Sequence, residues 1–178
     1  FDKDHNLVLS TGDGTTPFPS NGYAPLDERP DPIHYPMDAQ RSASNTNDYK
    51  GKILRIHPEK DGTYTIPDGN LFPPSPAHPI GQGVRKAPST GLTLPEIYAM
   101  GCRNPYRIAI NPTTGTIYWG EIGPDAGEDS LRGPRGYDEF NQAKKPGNFG
   151  WPYFVGNNYA YSEWDFATKT AGPTYNPK

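Results

Sequence analysis

The chain has 178 residues, the length of a single domain, with a formal net charge of −3 at pH 7 and 33% apolar residues. Its 22 prolines, 20 glycines and 12 tyrosines indicate an ordered, loop-rich β protein, because the aromatic residues recur along the whole chain. Lysines and arginines are scattered along the chain and form no nucleic-acid-binding stripe, and no apolar run is long enough to span a bilayer.

The two ends of the chain give no targeting information. The chain starts at Phe1 inside a patterned stretch, without an initiator methionine or a signal peptide. We therefore interpret it as an interior fragment of a longer protein. Cys102 is the only cysteine, so no disulfide can form within the chain.

Three strand-like runs alternate with two long excursions in the first half of the chain. Residues 6–11 (NLVLST) and 52–57 (KILRIH) have strand patterns, and a shorter run covers residues 63–66. The excursions, residues 15–50 and 67–93, are rich in proline and polar residues. Loops of this length are uncommon in compact domains, so we interpret them as insertions held at the surface or near a site.

Three further runs follow, at residues 96–100, 106–111 and 116–121. The last two are joined by a turn, residues 112–115 (PTTG), which predicts a hairpin. No segment shows a sustained helical period. The pattern therefore predicts an all-β protein, and by itself leaves sandwich, barrel and propeller open.

An arginine and an amide residue stand at the entry to one of these strands. Arg103 presents a planar fork of donors that suits a carboxylate, and Asn104 can both donate and accept. The two residues are therefore candidates for binding an anionic ligand. The alternative is that they satisfy backbone carbonyls in a β-bend.

A Gly-Pro step follows the strand that ends at Glu121. Calcium prefers six to eight oxygen ligands, and backbone carbonyls count among them. Gly123 and Pro124 can turn two successive carbonyls towards one point, because proline fixes its φ and glycine permits unusual angles. The alternative is an ordinary tight turn.

The most specific pattern is Glu139, followed ten residues later by Phe149 in the sequence GNFGWP. On the residues alone, Glu139 is a solvated acid, and a metal-binding role for it comes only from the family resemblance given below. We interpret Trp151 as core packing. A charged segment, residues 126–136 (AGEDSLRGPRG), precedes the motif and is expected to shape the mouth of the site.

In order and spacing, the motifs between residues 97 and 155 resemble the soluble quinoprotein sugar dehydrogenases, the glucose/sorbosone dehydrogenase family. Members of that family are six-bladed β-propellers that bind pyrroloquinoline quinone (PQQ) and calcium. The resemblance implies that residues 1–178 are a fragment of one such domain, about two to three blades of a six-bladed β-propeller with long loop insertions.

The resemblance also implies residue roles at the cofactor. It places Arg103 and Asn104 at PQQ, which carries three carboxylates. Tyr106 stands where the glucose-oxidising members have an amide residue, and it is a further candidate for binding the cofactor. These three residues are the predicted cofactor contacts.

The metal ligands are implied in the same way. The resemblance implies that the carbonyls of Gly123 and Pro124 bind the calcium that chelates PQQ. It implies that the side chain of Glu139 and the backbone oxygen of Phe149 bind a second, structural calcium. The predicted cofactors are therefore PQQ and Ca²⁺.

The implied reaction is oxidation of a sugar or other alcohol by hydride transfer to the quinone. Electrons would pass to an external acceptor, with a c-type haem protein as the candidate, in a bacterial periplasm or at the cell surface. The catalytic base of the family is a histidine expected upstream of Phe1, so no catalytic residue is predicted within the chain. The four histidines match no catalytic position of the family: they are His5, His34, His57 and His78.

Two other functions remain open on the sequence. The first is a non-catalytic β-propeller that binds protein or glycan through its aromatic, proline-rich loops, because fold does not fix function. The second is a calcium-dependent lactonase on a similar propeller. That chemistry needs a calcium ringed by acidic and asparagine side chains, whereas the pattern here offers backbone carbonyls and one glutamate.

Overall fold

The structure, a computed structural model, describes residues 1–73 and 93–175. Within these ranges it contains β-strands and three short 3-10 helices, which confirms the predicted all-β class. No helix in the described ranges has the length and apolar character that a membrane crossing requires. The strands are β1 (Leu7–Thr11), β2 (Lys52–Pro58), β3 (Tyr64–Thr65), β4 (Ile97–Met100), β5 (Pro105–Ile110), β6 (Ile117–Glu121), β7 (Glu139–Ala143), β8 (Gly147–Asn148), β9 (Phe154–Val155), β10 (Tyr159–Ala160), β11 (Ser162–Asp165) and β12 (Thr170–Thr174).

The strands β1 to β6 lie where the sequence pattern predicts them, within one or two residues at each end. β5 and β6 form the predicted hairpin. In its turn, the Asn111 Oδ1 atom accepts the N–H groups of Thr113 and Thr114. Gly115 adopts a φ of 71°, a left-handed value that a residue without a Cβ adopts readily. The sequence pattern does not predict β7 to β12.

The strands form two larger sheets and two separate hairpins. The first sheet has the order β1-β2-β4-β8, with β3 paired to β2; β4 and β8 run parallel, and the other pairs are antiparallel. The second sheet is the antiparallel meander β5-β6-β7. The hairpins are β9-β10 and β11-β12. Within the described ranges, none of these sheets closes into a barrel.

The first and second sheets pack face to face through a shared apolar core. Along β6, the side chains of Ile117 and Trp119 are buried while Tyr118 between them is exposed, as the two-residue period of a strand requires. The Trp119 ring contacts the Phe149 ring edge to face, with centroids 4.6 Å apart. Burying each such side chain contributes about 1.5–3 kcal/mol to stability. The buried cluster comprises Val8, Ile53, Tyr98, Ala99, Cys102, Ile117, Trp119 and Ala143.

The first excursion, residues 15–50, is an ordered part of the fold. It contains the three 3-10 helices, Phe18–Ser20, Pro32–Met37 and Ala39–Arg41. Asp38 caps the last of them by accepting the N–H of Gln40. The excursion is docked on the segment that follows β8, where both contribute to a second apolar core. Its buried residues are Tyr23, Ala24, Leu26, Ala39, Ala43, Ala126, Trp151, Val155 and Tyr161.

The second excursion is described only at its start, because residues 74–92 lie outside the described ranges. Asn70 anchors this start to the first sheet. Its Nδ2 group donates to the carbonyls of Arg55 and Pro95, both at 2.8 Å. The N–H of Leu71 donates to the carbonyl of Ile97 at 2.9 Å. The beginning of the excursion is therefore tied to the first sheet at β2 and at the start of β4.

A buried lysine ties the first excursion to β2. Lys52 is fully buried, and its Nζ group donates to the carbonyls of Ser42, Ala43 and Lys50 at 2.8, 2.9 and 2.7 Å. All three acceptors are uncharged backbone oxygens. Burial lowers the pKa of Lys52 to about 8, although the charge of Asp48 partly opposes that shift.

This lysine makes stability depend on pH in the alkaline range. Since the pKa of Lys52 is lower in the folded protein than its ordinary value of 10.5, the unfolded chain binds more protons between about pH 8 and 10.5. Stability therefore rises with pH across that window, by at most about 3 kcal/mol. We expect Lys52→Met to abolish this rise. Urea unfolding at pH 7.5 and pH 10 measures it, and Lys60→Met, at an exposed position, is the control. An unchanged pH dependence in Lys52→Met would contradict the assignment.

Candidate functional site

Strand ends of the second sheet meet at one edge and bring two carboxylates together. Glu121, the last residue of β6, lies opposite Pro105 on β5 and opposite Glu139 on β7. The alternation of β6 turns Glu121 to the buried side. The chain then leaves the sheet through Gly123 and Pro124, both of which are buried. The Gly-Pro bend therefore faces the protein interior and not solvent.

The bend lies directly against the backbone that leads into β7. The N–H of Gly123 donates to the Oδ1 atom of Asp138 at 2.9 Å. A Cβ at Gly123 would overlap the carbonyl oxygen of Tyr137, and a Cβ at Gly136 would overlap the carbonyl oxygen of Pro124. Both positions therefore require glycine because two backbone segments approach each other closely there, and not because of a left-handed φ.

Arg103 holds the bend from both sides. Its Nη1 group donates to the carbonyl of Ile122 at 3.0 Å, and its Nη2 atom lies 3.6 Å from a carboxylate oxygen of Asp125. The side chain is only 17% exposed, whereas that of Asp125 is 67% exposed. The guanidinium thus contacts the residues directly before and after the Gly-Pro pair, which fixes the bend and places one positive charge beside it.

The two carboxylates of this edge differ in environment. Glu121 accepts the N–H of Asn104 at 2.5 Å and the indole N–H of Trp119 at 2.9 Å. Glu139 accepts the N–H of Gly156 at 2.6 Å and the amide group of Asn141 at 2.9 Å. Burial, with a further contribution from the charge of Glu139, raises the pKa of Glu121 to about 7.

A small cavity of about 10 Å³ lies between the bend and the two carboxylates, room for one water molecule or one metal ion. Its lining includes two acidic residues, Glu121 and Glu139, and one arginine, Arg103. In residues 1–73 and 93–175, no group of three or more histidine, cysteine and acidic side chains is arranged so that it could hold a metal ion. The lining residues are Gly101, Arg103, Glu121, Gly123, Pro124, Tyr137, Glu139, Asn141, Phe149, Trp151, Phe154 and Val155.

The cavity brings together five of the seven site residues predicted from the sequence, and two lie apart from it. Asn104 contacts this end of the sheet through its backbone. Its N–H donates to Glu121, and its carbonyl accepts the N–H of Ile122 at 3.1 Å. Tyr106 is 54% exposed on the opposite face of the second sheet, with the guanidinium of Arg107 5.1 Å from its ring centre. Their roles as cofactor contacts stay predictions. The five that line the cavity are Arg103, Gly123, Pro124, Glu139 and Phe149.

Two acidic residues of this region were not predicted as site residues. Glu121 shares the inward period of Ile117 and Trp119 along β6, so strand alternation was the signal that could have found it. Asp13 lies in the turn after β1, where its Oδ1 atom accepts the N–H of Thr15. Its Oδ2 atom also accepts the indole N–H of Trp151 at 2.7 Å, and no local pattern reveals that bond. The prediction of Trp151 as core packing is confirmed.

The charged segment, residues 126–136, lies beside the site. Its two ends are joined by a hydrogen bond of 2.7 Å, in which the N–H of Gly136 donates to the carbonyl of Ala126. Arg132 in this segment is buried, with its guanidinium 5.0 and 5.2 Å from the ring centres of Trp164 and Phe166. The segment therefore bridges the site and the β11-β12 hairpin.

No histidine among the described residues lines the cavity. His5 lies in the turn before β1, with a φ of 63°. His34 lies 3.3 Å from the carboxylate of the buried Asp27, and His57 bonds to Asn6 at 3.0 Å. His78 lies outside the described residues.

Comparison with known proteins identifies the relatives of the chain. A family model described as Glucose / Sorbosone dehydrogenase matches residues 1–177. Quinoprotein glucose dehydrogenase B of Acinetobacter calcoaceticus is 29% identical over 75% of the chain and 22% of its own length. Aldose sugar dehydrogenase YliI of Escherichia coli K12 is 30% identical over 67% of the chain and 24% of its own length. The chain thus spans about a quarter of these curated relatives.

A solved structure supports the fold. A crystal structure from Thermus thermophilus, described as a putative oxidoreductase (glucose dehydrogenase), matches 88% of the chain and 32% of its own length, with 26% identity and a TM-score of 0.50. With this match, the predicted fold class, an all-β part of a β-propeller, is confirmed.

The tight approach at the bend gives a direct test of the site geometry. We expect Gly123→Ala to destabilise the protein by about 1–3 kcal/mol, because the added methyl group would overlap the Tyr137 carbonyl. Gly127→Ala is the matched control, since a Cβ at Gly127 meets nothing within 4 Å. We expect that control to change stability by no more than about 0.5 kcal/mol. Equal melting temperatures of the two variants would contradict the geometry.

Proposed function

The chain belongs to the glucose/sorbosone dehydrogenase family, and we propose that the whole protein oxidises a sugar or another alcohol with PQQ and calcium as cofactors. One observation carries the proposal: the predicted metal ligands and one predicted cofactor contact line a single cavity. The names of two relatives support it, since one is a quinoprotein and the other acts on aldose sugars.

A calcium ion fits the donors of this cavity. Glu121, Glu139 and Phe149 all line it. Calcium takes carboxylate and carbonyl oxygens, and a cation between the two carboxylates would offset their mutual repulsion. We assign the ion in the cavity, the structural calcium, to the Glu139 side chain and the Phe149 carbonyl. The cofactor calcium, with the carbonyls of Gly123 and Pro124 as its ligands, would lie outside the cavity together with PQQ.

PQQ is far larger than a cavity of about 10 Å³, so it would lie outside the cavity. Arg103 already holds the carbonyl of Ile122 and the carboxylate of Asp125, and its contribution is to fix the bend and to keep a positive charge beside it. When bound, PQQ supplies the quinone that accepts a hydride from the substrate carbon. The part of the chain that the structure describes would then form one side of the PQQ site, with a fixed positive charge and fixed carbonyl dipoles.

The remaining parts of the reaction come from outside these residues. We expect a histidine from another part of the protein to accept the hydroxyl proton of the substrate. We expect the electrons to pass to an external acceptor, for which a c-type haem protein is the candidate, in the periplasm or at the cell surface of a bacterium. The further blades of the propeller are the structural partner of this chain.

Calcium binding can be tested without turnover. We expect calcium to raise the melting temperature of the full protein, because a ligand at 100 times its Kd stabilises the folded state by about 2.7 kcal/mol. Glu139→Gln should weaken the calcium affinity at least about tenfold, since it removes one charged ligand. Isothermal titration calorimetry measures this affinity, and Glu128→Gln, an exposed acid in the neighbouring segment, is the control. Equal affinities of the two variants would remove Glu139 from the metal site.

The proposed reaction is tested by reconstitution. The full protein is incubated with PQQ and calcium chloride, and reduction of an artificial electron-accepting dye is followed with a panel of aldoses and other alcohols. We expect dye reduction that requires PQQ, calcium and substrate together. Calcium binding without any turnover would favour the non-catalytic propeller, and hydrolysis of a lactone would favour the lactonase.

A further inference from the structure

The ammonium group of Lys52 gathers three backbone carbonyls into one cluster, and the proposed function does not use it. Lys52 is the first residue of β2 and is fully buried. An ammonium group has three N–H donors, and the carbonyl oxygens of Ser42, Ala43 and Lys50 lie 2.8, 2.9 and 2.7 Å from Nζ. None of these acceptors is a carboxylate. Lys52 therefore organises the backbone of residues 42–50 as a bound metal ion would organise its carbonyl ligands.

The same stretch of backbone holds the segment that leads into the Arg-Asn pair. The N–H of Gly101 donates to the carbonyl of Ala43 at 3.1 Å, so the Ala43 oxygen accepts from both Gly101 and Lys52. The N–H of Cys102 donates to the carbonyl of Gly51 at 3.2 Å. A Cβ at Gly51 would lie 2.5 Å from the carbonyl oxygen of Cys102, so the two segments are in close backbone contact.

Gly101 and Cys102 connect the carbonyl cluster to the site. The carbonyl of Gly101 accepts the N–H of Trp151 at 3.0 Å, and both residues line the cavity. Arg103 follows directly after Cys102, and its guanidinium contacts both sides of the Gly-Pro bend. A displacement of the backbone at Gly101 and Cys102 would therefore move the guanidinium away from the bend.

We propose that Lys52 is a positioning residue for the cofactor side of the site: its ammonium group fixes residues 42–51, and this backbone in turn places Arg103 beside the Gly-Pro bend. This inference rests on the proposed function, in which the charge of Arg103 lies beside PQQ. Because Lys52 is fully buried and does not line the cavity, its effect on PQQ passes through Arg103.

A double-mutant cycle on PQQ affinity tests this role in the full protein with calcium present. The variants are Lys52→Met, Arg103→Met and the double variant, and Lys60→Met, at an exposed position, is the control. We expect Lys52→Met and Arg103→Met each to raise the Kd of PQQ at least about tenfold, and Lys60→Met to leave it unchanged. We expect the double variant to bind PQQ within about twofold of Arg103→Met alone, because Lys52 acts through Arg103. A lysine that only stabilises the fold would weaken PQQ binding by the same factor with or without Arg103, so the two effects would multiply.

Backbone hydrogen exchange tests the same role without PQQ, so a failure of the proposed function is told apart from a failure of this inference. Exchange is measured in the full protein for Lys52→Met and for Lys60→Met. We expect the N–H groups of Gly101 and Cys102 to exchange faster in Lys52→Met, by a factor at least about ten times larger than for the N–H groups of β6, because the carbonyls that accept them are no longer held. The strand β6 lies in the second sheet and reports a general loss of stability.

Two results would overturn the inference: effects of Lys52→Met and Arg103→Met on PQQ affinity that multiply, or equal acceleration of exchange at Gly101, at Cys102 and in β6. An unchanged Kd for PQQ in Lys52→Met would overturn it as well. If the unsubstituted protein binds no PQQ, the proposed function fails, and the exchange rates alone decide whether Lys52 holds this backbone. If Lys52→Met does not fold, Lys52→Gln replaces it in both tests with the same expected pattern, because its amide group keeps two N–H donors but carries no charge.

Discussion

The pairing register of the second sheet is the constraint on which the site depends. Because Glu121 lies opposite both Pro105 and Glu139, the ends of three strands converge at one edge, and two carboxylates stand on adjacent strands. A slip of one residue would turn Glu121 outward and exchange the buried Trp119 for Tyr118. The packing of Trp119 against Phe149 therefore fixes the register and, with it, the cavity.

The Gly-Pro bend is fixed by close packing and by one guanidinium. Gly123 and Gly136 let two backbone segments approach more closely than any Cβ would allow. Arg103 donates to the carbonyl of Ile122 and lies 3.6 Å from a carboxylate oxygen of Asp125, so it contacts the residues on both sides of the Gly-Pro pair. The conformation of the bend therefore depends on contacts with segments outside it.

The first excursion, residues 15–50, contributes buried residues to the core and is not only a surface loop. Lys52 donates to three carbonyls of the first excursion. Ala39 and Ala43 of that excursion are fully buried. The excursion packs on the segment that contains Trp151, whose indole bonds to Asp13 directly after β1. Segments far apart in the chain thus support the same edge of the site.

The sequence by itself determined the all-β class, the strands β1 to β6 and the hairpin turn at residues 112–115, because strand alternation and turn chemistry are local. The five predicted residues that line the cavity came from the resemblance of the motifs to a known family. The sequence did not show the ordered 3-10 helices of residues 15–50, since proline-rich segments carry no periodic signal, or the strands after β6, several of which have only two residues. The tertiary structure alone decided that Glu121 joins Glu139, that Asp13 bonds to Trp151, and that Tyr106 lies on the opposite face from the cavity. Those relations depend on register and on contacts between segments distant in the chain, and no local pattern encodes either.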